Sequence, residues 1–75
     1  MVDTFTYAGD IAKRIAKCIS DSALSVPQLS GQTGIPEATL RSRLSGAREF
    51  TFTEIALLAN ALGVKPTNLL PKELS

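Results

Sequence analysis

Apolar residues recur every three or four positions along most of the chain, which is the spacing of one buried face of an α-helix. The first such stretch carries Ile11, Ile15 and Ile19, and it predicts a helix over residues 6–22. Four shorter helices are predicted over residues 26–33, 36–45, 52–62 and 66–70. The fold class that this pattern predicts is all-α, a compact domain of five helices with no pair of β-strands.

The second and third predicted helices have clear start and stop signals and are separated by only a few residues. Ser25 and Gln28 form an S-x-x-Q capping box, and Gly34 can adopt the left-handed conformation that a sharp helix exit needs. Pro36 then restarts helical geometry with its fixed φ angle. Two short helices joined in this way form a helix-turn-helix, whose second helix enters the DNA major groove. A plain helical hairpin is the less favoured alternative, because a tight glycine turn is not specific to DNA binding.

A second capping box precedes the fourth predicted helix. Thr51 and Glu54 have the required spacing, and Phe50 and Ile55 stand at the positions of a hydrophobic staple. The predicted core joins the apolar face of the first helix to residues of the later ones. Its members are Ile11, Ile15, Ile19, Leu29, Ile35, Leu40, Leu44, Ile55, Leu58 and Leu62.

The third predicted helix has one face suited to a DNA groove. At about 100° per residue, Leu40 and Leu44 define its buried side, Ala38 and Ser42 point outward, and Thr39 and Ser45 complete the outer face. Arg41 and Arg43 flank that outer face on opposite sides. A small residue lets the helix approach base edges, while guanidinium groups can reach guanine or phosphate. We therefore expect one arginine to contact a base and the other a phosphate; two ordinary solvated arginines are the alternative.

The formal net charge of +1 is small, but its distribution is uneven. Residues 1–24 are balanced, residues 25–48 carry +2, and residues 49–75 carry −1. The surplus positive charge therefore coincides with the helix-turn-helix, where phosphate contacts require it. So small a surplus predicts modest affinity for a single copy and reliance on a dimer or a second DNA-contacting element.

Length and composition favour a small binding module over an enzyme. The 75 residues predict a single DNA-binding domain, with a flexible arm at 1–5 and a tail or linker start at 71–75. The chain has no histidine and one cysteine, which excludes histidine-based nucleophile arrangements and zinc sites. We accordingly expect no catalytic residues, no cofactor, no metal and no small-molecule substrate. The lack of a membrane-length apolar run or signal peptide, together with the lone cysteine, favours the cytoplasm.

One ordered set of positions spans most of the chain and consists of Leu29, Gly34, Ile35, Thr39, Leu40 and Gly46, followed by ALGV at residues 61–64. This set resembles the lambda-repressor-like helix-turn-helix family, also called the xenobiotic-response-element family of bacterial and phage regulators. The strings TLRSRLSG and FTFTEIALLANALGV look especially like phage immunity repressors and small regulators of actinobacteria and their phages. The resemblance covers residues 10–70. It implies sequence-specific binding to a double-stranded DNA operator by a transcriptional repressor.

The resemblance also implies which residues would face the DNA. The base-facing set would be Glu37, Ala38, Arg41 and Ser42, and the residues near phosphate would be Gln28, Thr39 and Arg48. Two positions depart from the family pattern. Ser30 stands where alanine is usual, and Arg43 stands where the family has an aliphatic core residue. We expect Leu44 to fill that core position and Arg43 to remain in the DNA-contacting set.

Two questions stay open at the level of sequence. Family members usually bind DNA as dimers, and apolar residues near the C-terminus would either form a homodimer surface or close the domain's own core. These residues are Val64, Leu69, Leu70 and Leu74. The alternative function is a protein-interaction module on the same fold, such as an antitoxin or a partner-binding regulator, which would use the apolar ends of the chain as its interface.

Overall fold

The computed structural model describes residues 4–72, which form four α-helices and one short 3-10 helix. The α-helices are α1 (Thr4–Asp21), α2 (Val26–Thr33), α3 (Glu37–Leu44) and α4 (Phe52–Leu62), and the 3-10 helix is Pro66–Leu69. Residues 4–72 contain no β-strand, which confirms the all-α prediction. The predicted count of five helices is not matched exactly, because the fifth element is a 3-10 helix and only four α-helices are present in the described residues. The four residues of the 3-10 helix lie just before Pro71, which disfavours helical geometry in the residue before it.

The helix ends lie within two residues of their predicted positions. Helix α1 begins at Thr4, so two residues assigned to the arm belong to the helix. Helix α3 begins at Glu37, and Pro36 is its N-cap rather than its first residue. Pro71, assigned to the tail, is fully buried. The other residues of the expected arm and tail, 1–3 and 73–75, lie outside the described residues.

Both predicted capping boxes are present. The Ser25 hydroxyl accepts a hydrogen bond from the Gln28 N–H at 3.3 Å, and the Gln28 Oε1 atom accepts one from the Ser25 N–H at 2.8 Å. At α4, Thr51 Oγ1 accepts from the Glu54 N–H at 3.1 Å and Glu54 Oε1 accepts from the Thr51 N–H at 2.9 Å. Helix starts that satisfy their own N–H groups in this way are specified by residues three apart in the sequence.

One apolar core holds the helices together. Seven of the ten predicted core residues are buried, and the other three, Ile19, Leu44 and Leu62, are half-buried and packed against them. The core also contains residues that the helical pattern did not assign to it: Ala12, Phe50, Ala59 and Leu69. Leu69 has no exposed surface. The sequence left open whether the C-terminal apolar residues form a dimer surface or close the domain's own core, and Leu69 does the latter.

The packing gives α3 a fixed place on the surface. Helix α2 packs against both α3 and α4, α1 packs against α3 and the 3-10 turn, and α4 packs against the 3-10 turn. Helix α3 thus rests on α1 and α2 and leaves one side open. None of the helices in the described part of the chain is long and apolar enough to cross a membrane.

Candidate nucleic-acid interface

The turn between α2 and α3 is closed by hydrogen bonds from both sides. Gly34 has a left-handed φ of 79°, and its N–H donates to the Ser30 carbonyl at 2.9 Å. The Ser30 hydroxyl donates to the Ile35 carbonyl at 2.6 Å. Thr33 Oγ1 donates to the Leu29 carbonyl at 2.7 Å and accepts from the Ile35 N–H at 3.2 Å. Serine at the position where the resembled family has alanine therefore adds a hydrogen bond that fixes the start of α3.

Helix α3 presents only part of the predicted outer face to solvent. Leu40 is fully buried, as predicted, while Glu37, Ala38 and Arg41 are exposed. The remaining members of the helix are half-buried: Thr39, Ser42, Arg43 and Leu44. Because Arg43 is half-buried, the two arginines do not flank the outer face symmetrically.

Arg41 forms an exposed ion pair within α3. Its Nη2 atom lies 2.9 Å from Glu37 Oε2, and its Nε donates to the same oxygen at 3.0 Å. The exposed fractions of the two side chains are 60% and 45%. An i,i+4 pair this exposed contributes little to stability, because water competes for both charges. Arg41 can therefore exchange Glu37 for another acceptor at small cost.

Arg43 forms an ion pair of a different kind, because its partner belongs to another helix. Its Nε donates to Glu54 Oε1 at 3.2 Å and its Nη2 donates to Glu54 Oε2 at 3.5 Å. Only 20% of the Arg43 side chain and 14% of the Glu54 side chain are exposed. Burial alone raises the pKa of Glu54, but hydrogen bonds from Thr51 and Arg43 and the positive charge of Arg43 together lower it below its usual value.

The residues assigned to phosphate contact lie in three different settings. Gln28 is exposed, and since its Oε1 caps α2, its amide NH2 group remains available as a donor. Arg48 is exposed in the loop formed by residues 45–51, which connects α3 to α4. Thr39 is half-buried in α3.

Two features of the site were missed at the level of sequence. The first is the pairing of Glu54 with Arg43, for which the signal was an arginine at a position that the resembled family keeps aliphatic. The second is Phe52, the first residue of α4, which is 82% exposed. Its place in an otherwise regular amphipathic stretch gave no sign of that exposure. Within the described part of the chain, no group of acidic or cysteine side chains is arranged to hold a metal ion.

The fold and the family of the chain follow from comparison with known proteins. The family model described as a Cro/C1-type HTH DNA-binding domain matches residues 14–71. The crystal structure of the restriction-modification controller protein C.AhdI from Aeromonas hydrophila is similar with a TM-score of 0.79, over 84% of this chain and 96% of that chain. At 22% sequence identity, this likeness shows a shared fold. No curated protein matches the chain. Because the family model covers most of the sequence, the protein belongs to the Cro/C1-type helix-turn-helix family of DNA-binding domains.

Proposed function

We propose that the protein binds double-stranded DNA in a sequence-specific manner and acts as a transcriptional repressor of the phage or bacterial type. The observation that carries this proposal is the exposed face of α3, which follows a rigid turn and presents an exchangeable arginine. In this proposal residues 36–45 enter the major groove, as in other helix-turn-helix proteins. The resemblance to regulators of actinobacteria and their phages supports a repressor that works in the cytoplasm.

Arg41 is the proposed base-reading arginine. It lies on the exposed face, and its guanidinium can leave Glu37 to donate two hydrogen bonds to O6 and N7 of a guanine. Glu37, Ala38 and Ser42 are proposed to complete the base-facing set. The proposed phosphate contacts are Gln28, Thr39 and Arg48, which lie on three different parts of the helix-turn-helix and its following loop.

The length of α3 argues for two copies on one operator. Its eight residues span about 12 Å, which corresponds to only three or four base pairs at about 3.4 Å each. A homodimer on two half-sites about one helical turn apart would lengthen the recognised sequence. Sedimentation with and without operator measures this directly; a 1:1 complex on a site without symmetry would reject the dimer.

The function is tested by selecting binding sites from a random pool of DNA duplexes and comparing two arginine variants on the selected site. Arg41→Ala and Arg14→Ala are matched, because each removes one positive charge from an exposed i,i+4 ion pair. We expect Arg41→Ala to lose about 1–3 kcal/mol and to relax the preference at one base pair. Arg14→Ala, in α1, should leave the preference unchanged.

Two results would overturn the proposal. The first is a wild-type protein that enriches no sequence from the pool. The second is an Arg41→Ala variant that binds the selected site as Arg14→Ala does, with the same dependence on salt, since salt dependence reports the number of phosphate contacts.

The alternative of a protein-interaction module was expected to use the apolar ends of the chain. Leu69 and Pro71 are fully buried, and Val64 and Leu70 are half-buried and packed against the core. Leu74 lies outside the described residues. Among the described residues near the C-terminus, little apolar surface is therefore left for such an interface, and DNA binding is the better supported function.

A further inference from the structure

Arg43 is a charged residue at a largely covered position. In the resembled family this position is aliphatic and belongs to the core. Here an arginine stands there, and its side chain is largely covered. A covered charge is costly unless it is paired and hydrogen-bonded. The Glu54 carboxylate provides that pairing through two hydrogen bonds.

The Glu54 carboxylate serves two helices at once. Its Oε1 atom accepts from the Thr51 N–H, which caps the start of α4, and also from Arg43 Nε near the end of α3. Helices α3 and α4 have no extensive packing contact of their own, since each rests mainly on α2 and on other neighbours. The ion pair therefore joins the two ends of the 45–51 loop, which carries Arg48.

We propose that Arg43 and Glu54 are positioning residues for DNA recognition and that Arg43 makes no contact with DNA. The pair holds the end of α3 and the 45–51 loop in the arrangement that binds the operator. This inference rests on the proposed function, and it replaces the expectation that Arg43 contacts a base or a phosphate.

Charge supports this assignment. Arg43 and Glu54 carry opposite charges within hydrogen-bonding distance, so together they add no net positive charge to the DNA-facing surface. For Arg43 to clamp a phosphate, it would have to leave a largely covered carboxylate without its partner, which is unfavourable. Arg41 faces no such penalty, because its partner Glu37 is exposed.

The decisive variant is Glu54→Gln. Glutamine keeps an oxygen for the Thr51 N–H and for Arg43 Nε, as in other capping boxes. Its NH2 group, however, faces Arg43 Nη2 in place of Oε2, and the negative charge that pairs with Arg43 is removed. Removing a negative charge normally strengthens DNA binding. We expect the opposite here, an operator affinity about 3- to 10-fold weaker, because the ion pair and the hydrogen bond to Arg43 Nη2 are lost. Glu49→Gln is the matched control: it removes a negative charge from an exposed residue of the same loop and should bind as tightly as wild type or more tightly.

A double-mutant cycle separates positioning from direct contact. Arg43→Met restores an apolar side chain at this position, so the Arg43→Met/Glu54→Gln double variant leaves no unpaired charge. If the two residues act as one unit, the double variant should recover at least half of the affinity that Glu54→Gln loses. If Arg43 instead touches phosphate, Arg43→Met should weaken binding equally in both backgrounds and lower the salt slope by about one.

Each variant is compared well below its own melting temperature, with the folded fraction checked by circular dichroism, so that lost stability does not imitate lost affinity. The Arg43→Met variant should keep the wild-type salt slope, whereas Arg48→Ala should reduce it by about one. A Glu54→Gln protein that binds the operator at least as tightly as Glu49→Gln would overturn the positioning role and leave the proposed function standing. A wild-type protein without sequence preference would overturn the proposed function itself.

Discussion

Two glycines three residues apart provide a sharp test of the helix-turn-helix geometry. Gly31 lies within α2 and Gly34 forms the turn that follows it. A Cβ atom added at either position would meet no other atom within 4 Å. The effect of an alanine substitution is therefore a matter of backbone conformation at both sites. The two sites differ because Gly34 has a φ of 79° and Gly31 is helical.

The expected effects have opposite signs. Left-handed conformation costs a residue with a Cβ about 1–2 kcal/mol, part of which is offset because alanine loses less conformational entropy than glycine, about 0.4–1 kcal/mol. Gly34→Ala should thus destabilise the fold by about 1 kcal/mol. Gly31→Ala should stabilise it by about 0.5–1 kcal/mol, the usual gain within a helix. For a domain of this size, a difference near 2 kcal/mol separates the melting temperatures by about 8–16 °C.

Thermal and urea unfolding followed by circular dichroism measure both changes under identical conditions. Gly34→Asn serves as a control for the turn, since asparagine tolerates the left-handed region better than alanine, and it should recover part of the loss. Shifts of the same sign for Gly31→Ala and Gly34→Ala would refute the reasoning. A Gly34→Ala protein with the melting temperature of the wild type would also refute it.

Two further predictions concern the core and the ion pair. Leu40→Ala should lower the free energy of unfolding by about 2–5 kcal/mol, because Leu40 is fully buried. Leu57→Ala should lower it far less, because Leu57 is 39% exposed. Equal urea midpoints for the two variants would show that the buried face of α3 is misassigned. Since the folded-state pKa of Glu54 is lowered, its charge stabilises the fold above the unfolded-state pKa of about 4.3 and ceases to do so as the pH falls through the folded value. Urea titrations from neutral pH into this range should show a steeper loss of the free energy of unfolding for wild type than for Glu54→Gln. The Glu49→Gln variant should follow wild type. Parallel curves for all three proteins would contradict this prediction.

The helices were predictable because their ends are specified locally. Ser25 with Gln28, and Thr51 with Glu54, each form hydrogen bonds between residues three apart, so the sequence contains both partners within one turn. The large buried side chains of α1 and α4 were predictable for a similar reason, since Ile11, Ile15, Ile55 and Leu58 repeat at helical spacing. Leu40 was correctly assigned to the core from the same periodicity.

The parts that the sequence did not predict depend on residues far apart in the chain. The role of Leu69 was left open because an apolar side chain near the C-terminus serves a core or an interface equally well. Its burial follows from the packing of the 3-10 turn against α1 and α4, for which there is no local signal. The helical wheel likewise gave no sign of the Arg43–Glu54 pair, because a wheel describes one helix and takes no account of residues on the next.

The departure of Arg43 from the family pattern could nevertheless have indicated that this residue has a charged partner. A charged residue at a normally buried position requires either a rotated helix or a buried partner. Rotation would have moved Leu40 out of the core, yet Leu40 is fully buried, and Leu44, expected to replace Arg43, is only half-buried. Arg43 therefore required a partner. Among the acidic residues that follow α3, Glu54 was already assigned to the capping box of the next helix. The two arginine–glutamate pairs of the described residues have the same chemistry but differ in burial. That difference is the basis of our proposal that the exposed Glu37–Arg41 pair opens to DNA and that the covered Arg43–Glu54 pair holds the end of α3 in place.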